Sequence, residues 1–393
     1  MELRNRFGRP LRLAVIGGGP GSWIGAMHRS AAELDGAFRV CAAVLSSDAQ
    51  RSRDAGAALG LDGVRCYGDV AQLIEAEAQR DDSVEAVAIM TPNDTHHAYA
   101  AASLDAGLDV ICDKPVSHDL AQALDLMQRV HARQRLFAIA HAYSAYPMTR
   151  HARALVRDGA IGALRLVQVE YIQSGLATRV EDADPNNRLR WLLDPQRSGL
   201  ALVMSAIGCH AQHLACFVAG MRAKRLVADV GALVPGRRVV DHVSALIEFD
   251  GGARGTFTVT QAAAGGENDI RLRVYGDKGM LDWSHRQAGY LTLALQGQPA
   301  QTIGRGDPFL GADILAAGRT PRGHPEGLRE AFANLYAELA QQRMAIALGE
   351  AVPEFPYPRI EDGAHTMAFI EACVASAAQG RWVDVAETPL ARV

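Results

Sequence analysis

The sequence predicts an α/β chain: a doubly wound parallel sheet followed by an α+β domain built on a large, mainly antiparallel open sheet. Three observations carry this. The first third alternates short apolar runs with helical segments, the rhythm of βαβ units. Its first run leads into a glycine-rich turn. Beyond about residue 142 the apolar period falls to two, with Asp-Gly and Gly-Gly breaks, as in antiparallel strands. The division is therefore placed between residues 1–142, which carry the glycine-rich turn of a nucleotide-binding domain, and residues 143–393, an α+β domain. The closing helices are candidates to pack back on the first. A chain of 393 residues is long for one core and sufficient for two.

The elements follow in order. Leu11 to Ile16 is a continuous apolar run, the mark of a strand buried on both faces. A helix is expected from about Gly25 to Leu34, then a strand from Phe38 to Leu45 and an Ala-rich helix from Ala49 to Leu59. The strand Val84 to Met90 stops at Thr91-Pro92-Asn93-Asp94; the helix His96 to Ala106 ends at Gly107, a good C-cap. Leu108 to Cys112 is a strand stopped by Asp113-Lys114-Pro115. Asp119 to Arg133 is helical, Leu136 to Ala140 a strand, and Pro147 to Asp158 a connecting helix. The period-two segments are Leu164 to Tyr171, Val243 to Phe249, Gly255 to Gln261 and Ile270 to Tyr275. Arg179 to Arg197, rich in charge and holding Pro185 and Pro195, reads as a surface loop over a site. Leu200 to Phe217 is an apolar helix, and Glu326 to Leu348 and Ile360 to Ala378 are long closing helices.

Composition excludes several classes. A net charge of -4 leaves no basic footprint for nucleic acid and no polybasic membrane patch. No apolar run reaches the roughly 18 residues of a membrane span. The first ten residues lack the apolar core of a secretory signal. Six scattered cysteines, without CxxC spacing, read as reduced thiols of a cytoplasmic protein. Neither His96-His97 nor the His210/His213 pair has a third ligand in local register, so no metal is expected.

The turn Gly17-Gly18-Gly19-Pro20-Gly21-Ser22-Trp23-Ile24-Gly25 follows the first strand and opens a helix. Glycine lets the backbone approach a pyrophosphate, and the helix start supplies N–H groups and positive potential. Gly17, Gly19, Ile24 and Gly25 are the candidates, although Gly25 comes three residues later than simple GxGxxG spacing requires. The ribose should be read at the end of the second strand, where Ser47 and Asp48 can accept from a 2′-hydroxyl. Arg51 could instead pair with a 2′-phosphate. This favours NAD and leaves NADP open; Ser47 or Asp48 as a plain helix cap is the competing reading.

Thr91-Pro92-Asn93 with His96, Asp113-Lys114-Pro115, Ile207-Gly208-Cys209-His210, Tyr275-Gly276-Asp277-Lys278-Gly279 and Gly323-His324-Pro325-Glu326-Gly327 together resemble the Gfo/Idh/MocA oxidoreductases. Asp113 stands where that family has Glu. The resemblance implies a Rossmann domain and oxidation or reduction of one secondary carbinol on a sugar, cyclitol or related polyol. It also implies a homodimer or homotetramer and a cis bond before Pro115. Thr91, Pro92, Asn93, His96, Asp113, Lys114 and His141 would border the cofactor. Lys114 and His210 would be catalytic.

The chemistry needs such groups. Hydride leaves a carbinol carbon only as the hydroxyl loses its proton, and a sugar hydroxyl is a poor acid. Lys114, at the C-terminal end of a parallel strand, can serve as base or as a bridging cation. By itself a lone histidine in an apolar helix reads as a core residue; the resemblance makes His210 the general acid/base. Tyr143, Trp191, Arg197, His213 and His324 are candidates to line the substrate pocket, Trp191 by stacking on the apolar face of a ring. His213 reads equally as a core residue. One position departs from the family: Ala206 replaces an Asp four residues before His210. Either Lys114 and His210 suffice, with Ser205 or Asp241 filling the gap, or the chain is a cofactor-binding protein with lost or altered catalysis. A further alternative is NAD-assisted glycoside cleavage through oxidation at C3 and elimination.

Overall fold

The computed structural model describes residues 2–182, 191–198 and 201–389. The chain divides into two compact units: Met1–Ser117, Ala121–Ala142 and Leu328–Ile360 form one, and His118–Leu120, Tyr143–Gly327 and Glu361–Val393 the other. In chain order the helices are α1 (Glu2–Phe7), α2 (Trp23–Leu34), α3 (Ala49–Ala58), α4 (Val70–Ala78), α5 (Asn93–Asp105), α6 (Leu120–Arg133), α7 (Pro147–Arg157), α8 (Pro195–Ser198), α9 (Cys209–Ala219), α10 (Ala312–Ala316), α11 (Leu328–Leu348) and α12 (Ile360–Gln379).

The first unit holds β1 (Leu11–Gly17), β2 (Phe38–Val44), β3 (Ala86–Met90), β4 (Asp109–Cys112) and β5 (Phe137–Ile139), in the order β2-β1-β3-β4-β5. Every pair is parallel. Both faces of β1 are buried, Leu13 and Val15 on one and Ala14 and Ile16 on the other, which is why the run is continuously apolar. Strand order reverses between β1 and β3, so their C-terminal ends open the crevice where such sheets bind ligands. Helix α11 completes this core: Tyr336 Oη lies 2.7 Å from His28 Nδ1, and its ring meets Phe38 edge-on.

The second unit is built on β6 (Leu164–Ile172), β7 (Ala223–Gly231), β8 (His242–Phe249), β9 (Arg254–Thr260), β10 (Asp269–Gly276), β11 (Gly279–Ser284), β12 (Tyr290–Leu295), β13 (Gln301–Gly304) and β14 (Val383–Asp384). The order is β13-β12-β11-β10-β6-β9-β8-β7-β14. Among the described residues only β6 and β9 pair in parallel. Alternation puts Val243, Ala245, Ile247 and Phe249 of β8 on the buried face.

Several elements differ from the sequence reading. β7 carries Lys224, Arg225 and Asp229, and only Ala223 and Leu226 are fully buried, so its alternation is faint. The short strands β11 to β13 and helix α4 were likewise unexpected. Helix α5 begins at Asn93 rather than His96, because Pro92 holds the N-cap position. The expected Leu200–Phe217 helix is a π turn over Met204–Gly208 that runs into α9. Its first residue, Leu200, and residues 183–190 of the Arg179–Arg197 loop lie outside the described residues. Among the described residues no helix is long and apolar enough to cross a membrane, and no cluster of His, Cys, Asp or Glu could hold a metal ion.

Candidate active site

Gly17 ends β1 with φ +84° and pairs with Met90 of β3. A Cβ there would stand 2.7 Å from the Met90 carbonyl oxygen; one on Gly25 would stand 2.1 Å from that of Gly18; one on Gly19 would stand 2.8 Å from that of Leu45. The turn is thus packed backbone against backbone and admits no side chain. The Ser22 hydroxyl caps α2 by accepting from Gly25 N at 3.1 Å. The N–H groups of Trp23 and Ile24, at the first helical positions, have no intrahelical acceptor by position. Arg29 donates to the Gly18 carbonyl and braces the turn from one helical turn on. A bare glycine cradle at the start of a twelve-residue helix, beside the reversal in strand order, fits a dinucleotide diphosphate. Neither Ser22 nor Arg29 stood out in the sequence.

At the end of β2, Ser47 is exposed and Asp48 caps α3, accepting from Arg51 N at 2.8 Å. The Arg51 guanidinium stands 3.9 Å from the same carboxylate oxygen, with both side chains largely in solvent. Capping leaves Asp48 a second carboxylate oxygen.

The Thr91 and Lys114 loops are tied together by His96. This buried ring faces the Pro115 carbonyl through Nδ1 at 2.7 Å and the Thr91 carbonyl through Nε2 at 2.9 Å. Both nitrogens meet backbone oxygens, so His96 acts by fixing the two loops. The Thr95 hydroxyl lies 2.7 Å from Thr91 Oγ1 and from the Pro92 carbonyl, and Asn93 is buried at the head of α5. Asp113 accepts from Lys114 N at 2.8 Å; the Lys114–Pro115 peptide is cis, and the Lys114 side chain is half-buried. His141, buried just past β5, donates its N–H to the Ile139 carbonyl at 2.7 Å.

The second unit builds a polar aromatic cluster around His210, in the first turn of α9. The Tyr143 ring meets His210 edge-on at 5.0 Å and His285 edge-on at 5.1 Å. Tyr171 donates to Asn268 Oδ1 at 2.7 Å, so its oxygen accepts from the Tyr143 hydroxyl at 2.6 Å. Burial raises the pKa of both phenols and keeps them neutral. Tyr171, Asn268 and His285 were not among the residues predicted from sequence.

His213 belongs to the core of α9. It is buried, stacks on Phe217, and is pushed down to about 4 by desolvation, so it stays neutral. Asp241 does not fill the gap left by Ala206. Its fully buried carboxylate accepts from Leu233 N at 2.7 Å, Val234 N at 3.3 Å and the Arg237 guanidinium at 3.1 Å. Ala206 instead packs on the apolar cluster of Leu176, Leu202 and Val239, joined by Val180, Leu192 and Leu193. Ser205 is buried in the π turn.

The remaining candidates separate. Trp191 and Arg197 line a cavity of about 560 Å³ with Leu193 and Arg238. His324 lines a different one, of about 570 Å³, with Tyr146 and His285.

Residues 11–141 match the model of an oxidoreductase family with an NAD-binding Rossmann fold, and residues 149–282 that of the GFO/IDH/MocA C-terminal domain. The chain is 33% identical to the uncharacterized oxidoreductase YfiI of Bacillus subtilis, over 96% of this chain and 97% of that protein. It is 35% identical to an inositol dehydrogenase homolog from Azotobacter vinelandii solved with NAD+, with TM-score 0.91 over 96% of this chain and 98% of that one. An inositol dehydrogenase homolog from the same organism, solved with NADH and myo-inositol, is 34% identical with TM-score 0.87, again over 96% and 98%.

Proposed function

Because the chain belongs to the GFO/IDH/MocA oxidoreductase family and is an NAD-binding enzyme, we propose that it oxidises or reduces one secondary carbinol of a cyclitol, sugar or related polyol. Bound NAD supplies the site that exchanges hydride with the carbinol carbon.

The chain's own residues manage the proton and the orientation. Lys114, half-buried after β4, holds the carbinol oxygen as a cation or takes its proton. His210 is the second proton carrier. The Tyr143 ring against it restricts the imidazole, and Tyr143 is itself fixed through Tyr171 and Asn268. The observation that carries the reading is this built imidazole site in the substrate-domain half of a chain whose other half has a glycine cradle fit for NAD. NAD over NADP is favoured by the second carboxylate oxygen of Asp48, with Arg51 drawn toward that same group. The six cysteines as free thiols favour the cytoplasm, and we infer a homo-oligomer by analogy with the family.

The test is NADH formation by the purified protein over a panel of cyclitols and pyranoses, myo-inositol included. Turnover of at least one is expected. Lys114→Met and His210→Ala should each lower kcat by about 100-fold or more, the usual worth of a positioned proton-transfer group. Tight NAD binding without turnover of any polyol would instead favour a non-catalytic cofactor-binding protein.

A further inference from the structure

The 570 Å³ cavity of the second unit is lined by neither Lys114 nor His210, the residues assigned to the carbinol. It adjoins the His210 cluster through His285 and Tyr146. Tyr143 contacts both His210 and His285, and Tyr146 donates to His285 Nε2 at 3.1 Å. The other nitrogen of His285 faces the Asn268 carbonyl at 3.2 Å, so the proton resides on Nδ1. Burial lowers the pKa of His285, so the ring is a neutral, oriented part of the cavity wall on the side of the His210 cluster.

The cavity's charges cancel locally. Arg305 pairs with Glu326 at 3.1 Å, Arg322 with Asp307 at 2.7 Å and Arg286 with Glu267 at 3.2 Å. A phosphate or carboxylate entering here would have to displace a carboxylate already in place. A neutral polyhydroxyl ring would meet donors and acceptors side by side. Tyr290, half exposed at 51%, adds an aromatic face of the kind that covers the C–H side of a sugar. The wall around His324 is preformed. Glu326 Oε1 accepts from Arg319 N at 2.6 Å and Thr320 Oγ1 at 2.9 Å, while Arg305 donates to the His324 carbonyl at 2.6 Å.

We propose that this cavity is a second carbohydrate subsite, which takes a further neutral ring of a glycoside or disaccharide whose first ring reacts at His210. The proposal rests on the carbinol-oxidising reading above and narrows its substrate class.

The test compares kcat/KM for NAD reduction on glucose and on cellobiose, maltose and trehalose, in the wild type, Tyr290→Ala and Arg322→Ala. At least one disaccharide should outperform glucose, and each variant should cut that advantage by about tenfold, the scale of one lost aromatic or charge-assisted contact. Turnover of glucose with no disaccharide preferred overturns the subsite. So does a preference that both variants leave intact, or a Tyr290→Ala effect confined to sedimentation mass. If none of these sugars is turned over, the carbinol reading is tested separately on the wider polyol panel. The subsite is then judged by saturation-transfer NMR on the NAD-loaded protein. Transfer to both rings of a disaccharide, weakened on one ring by Tyr290→Ala, supports it; no transfer, or transfer that Tyr290→Ala does not change, overturns it.

Discussion

Ala206 separates two ideas about this site. Its partly buried side chain packs against the cluster of Leu176, Leu202 and Val239, as do Leu192 and Leu193. Ala206→Asp would thrust a carboxylate into that apolar contact. The expected outcome is a loss of roughly 1–3 kcal/mol in urea denaturation with no gain in turnover; a more active and equally stable variant would show that the position still wants its acid. His96 supports a second expectation. Its buried ring lies within hydrogen-bond distance of both the Pro115 and the Thr91 carbonyls and donates to one of them, so His96→Ala should weaken NAD binding and lower the melting temperature together. Titration of cofactor fluorescence and a thermal melt check both. Lys114 and His210 were proposed from local motifs, and the structure places one half-buried after β4 and the other in the first turn of α9. The Tyr143–Tyr171–Asn268 chain was not legible in the sequence, since its partners lie 28 and 97 residues apart and the β6–β10 pairing is what brings Asn268 to Tyr171.

Among the elements, the β1–turn–α2 segment was readable almost residue by residue. A buried run, a glycine cluster and a capped helix each have one physical cause. The clearest test is Gly25→Ala, whose new methyl would lie 2.1 Å from the Gly18 carbonyl oxygen. The turn must open to accept it, and NAD affinity should fall by tenfold or more on the scale of about 1.4 kcal/mol per decade. Calorimetric titration measures this; unchanged affinity would place the diphosphate elsewhere. The edge strands were hidden for a converse reason. β12 and β13 are six and four residues long, and outward-facing Tyr290 in β12 and Gly304 at the end of β13 blur the alternation, so the period-two signal is too short to rise above a loop. The π turn before α9 had no signature at all, as widening one turn leaves the apolar pattern of Met204 to Phe217 intact.

At the scale of the molecule, buried imidazoles set a limit on acid tolerance. His213 is pushed down to about 4 and His365 to about 3, both by burial. In the unfolded chain each takes a proton near pH 6.5, so between that pH and the folded values the unfolded state binds more protons. Stability is full above about pH 6.5 and falls as the pH drops toward 4, with His213 contributing on the order of 3 kcal/mol to the loss. Thermal melts across this range should show the decline, and His213→Phe, which keeps a ring against Phe217, should flatten it. The central claim is that a carbinol carbon of a polyol exchanges hydride directly with NAD in this protein. Its most direct measurement is mass spectrometry of the NADH formed from a polyol of the panel that is turned over, fully deuterated at carbon. One deuterium per NADH, with formation slowed about 100-fold or more in each of Lys114→Met and His210→Ala, is the predicted result. NADH without deuterium, or deuterium transfer undiminished in both variants, would contradict it.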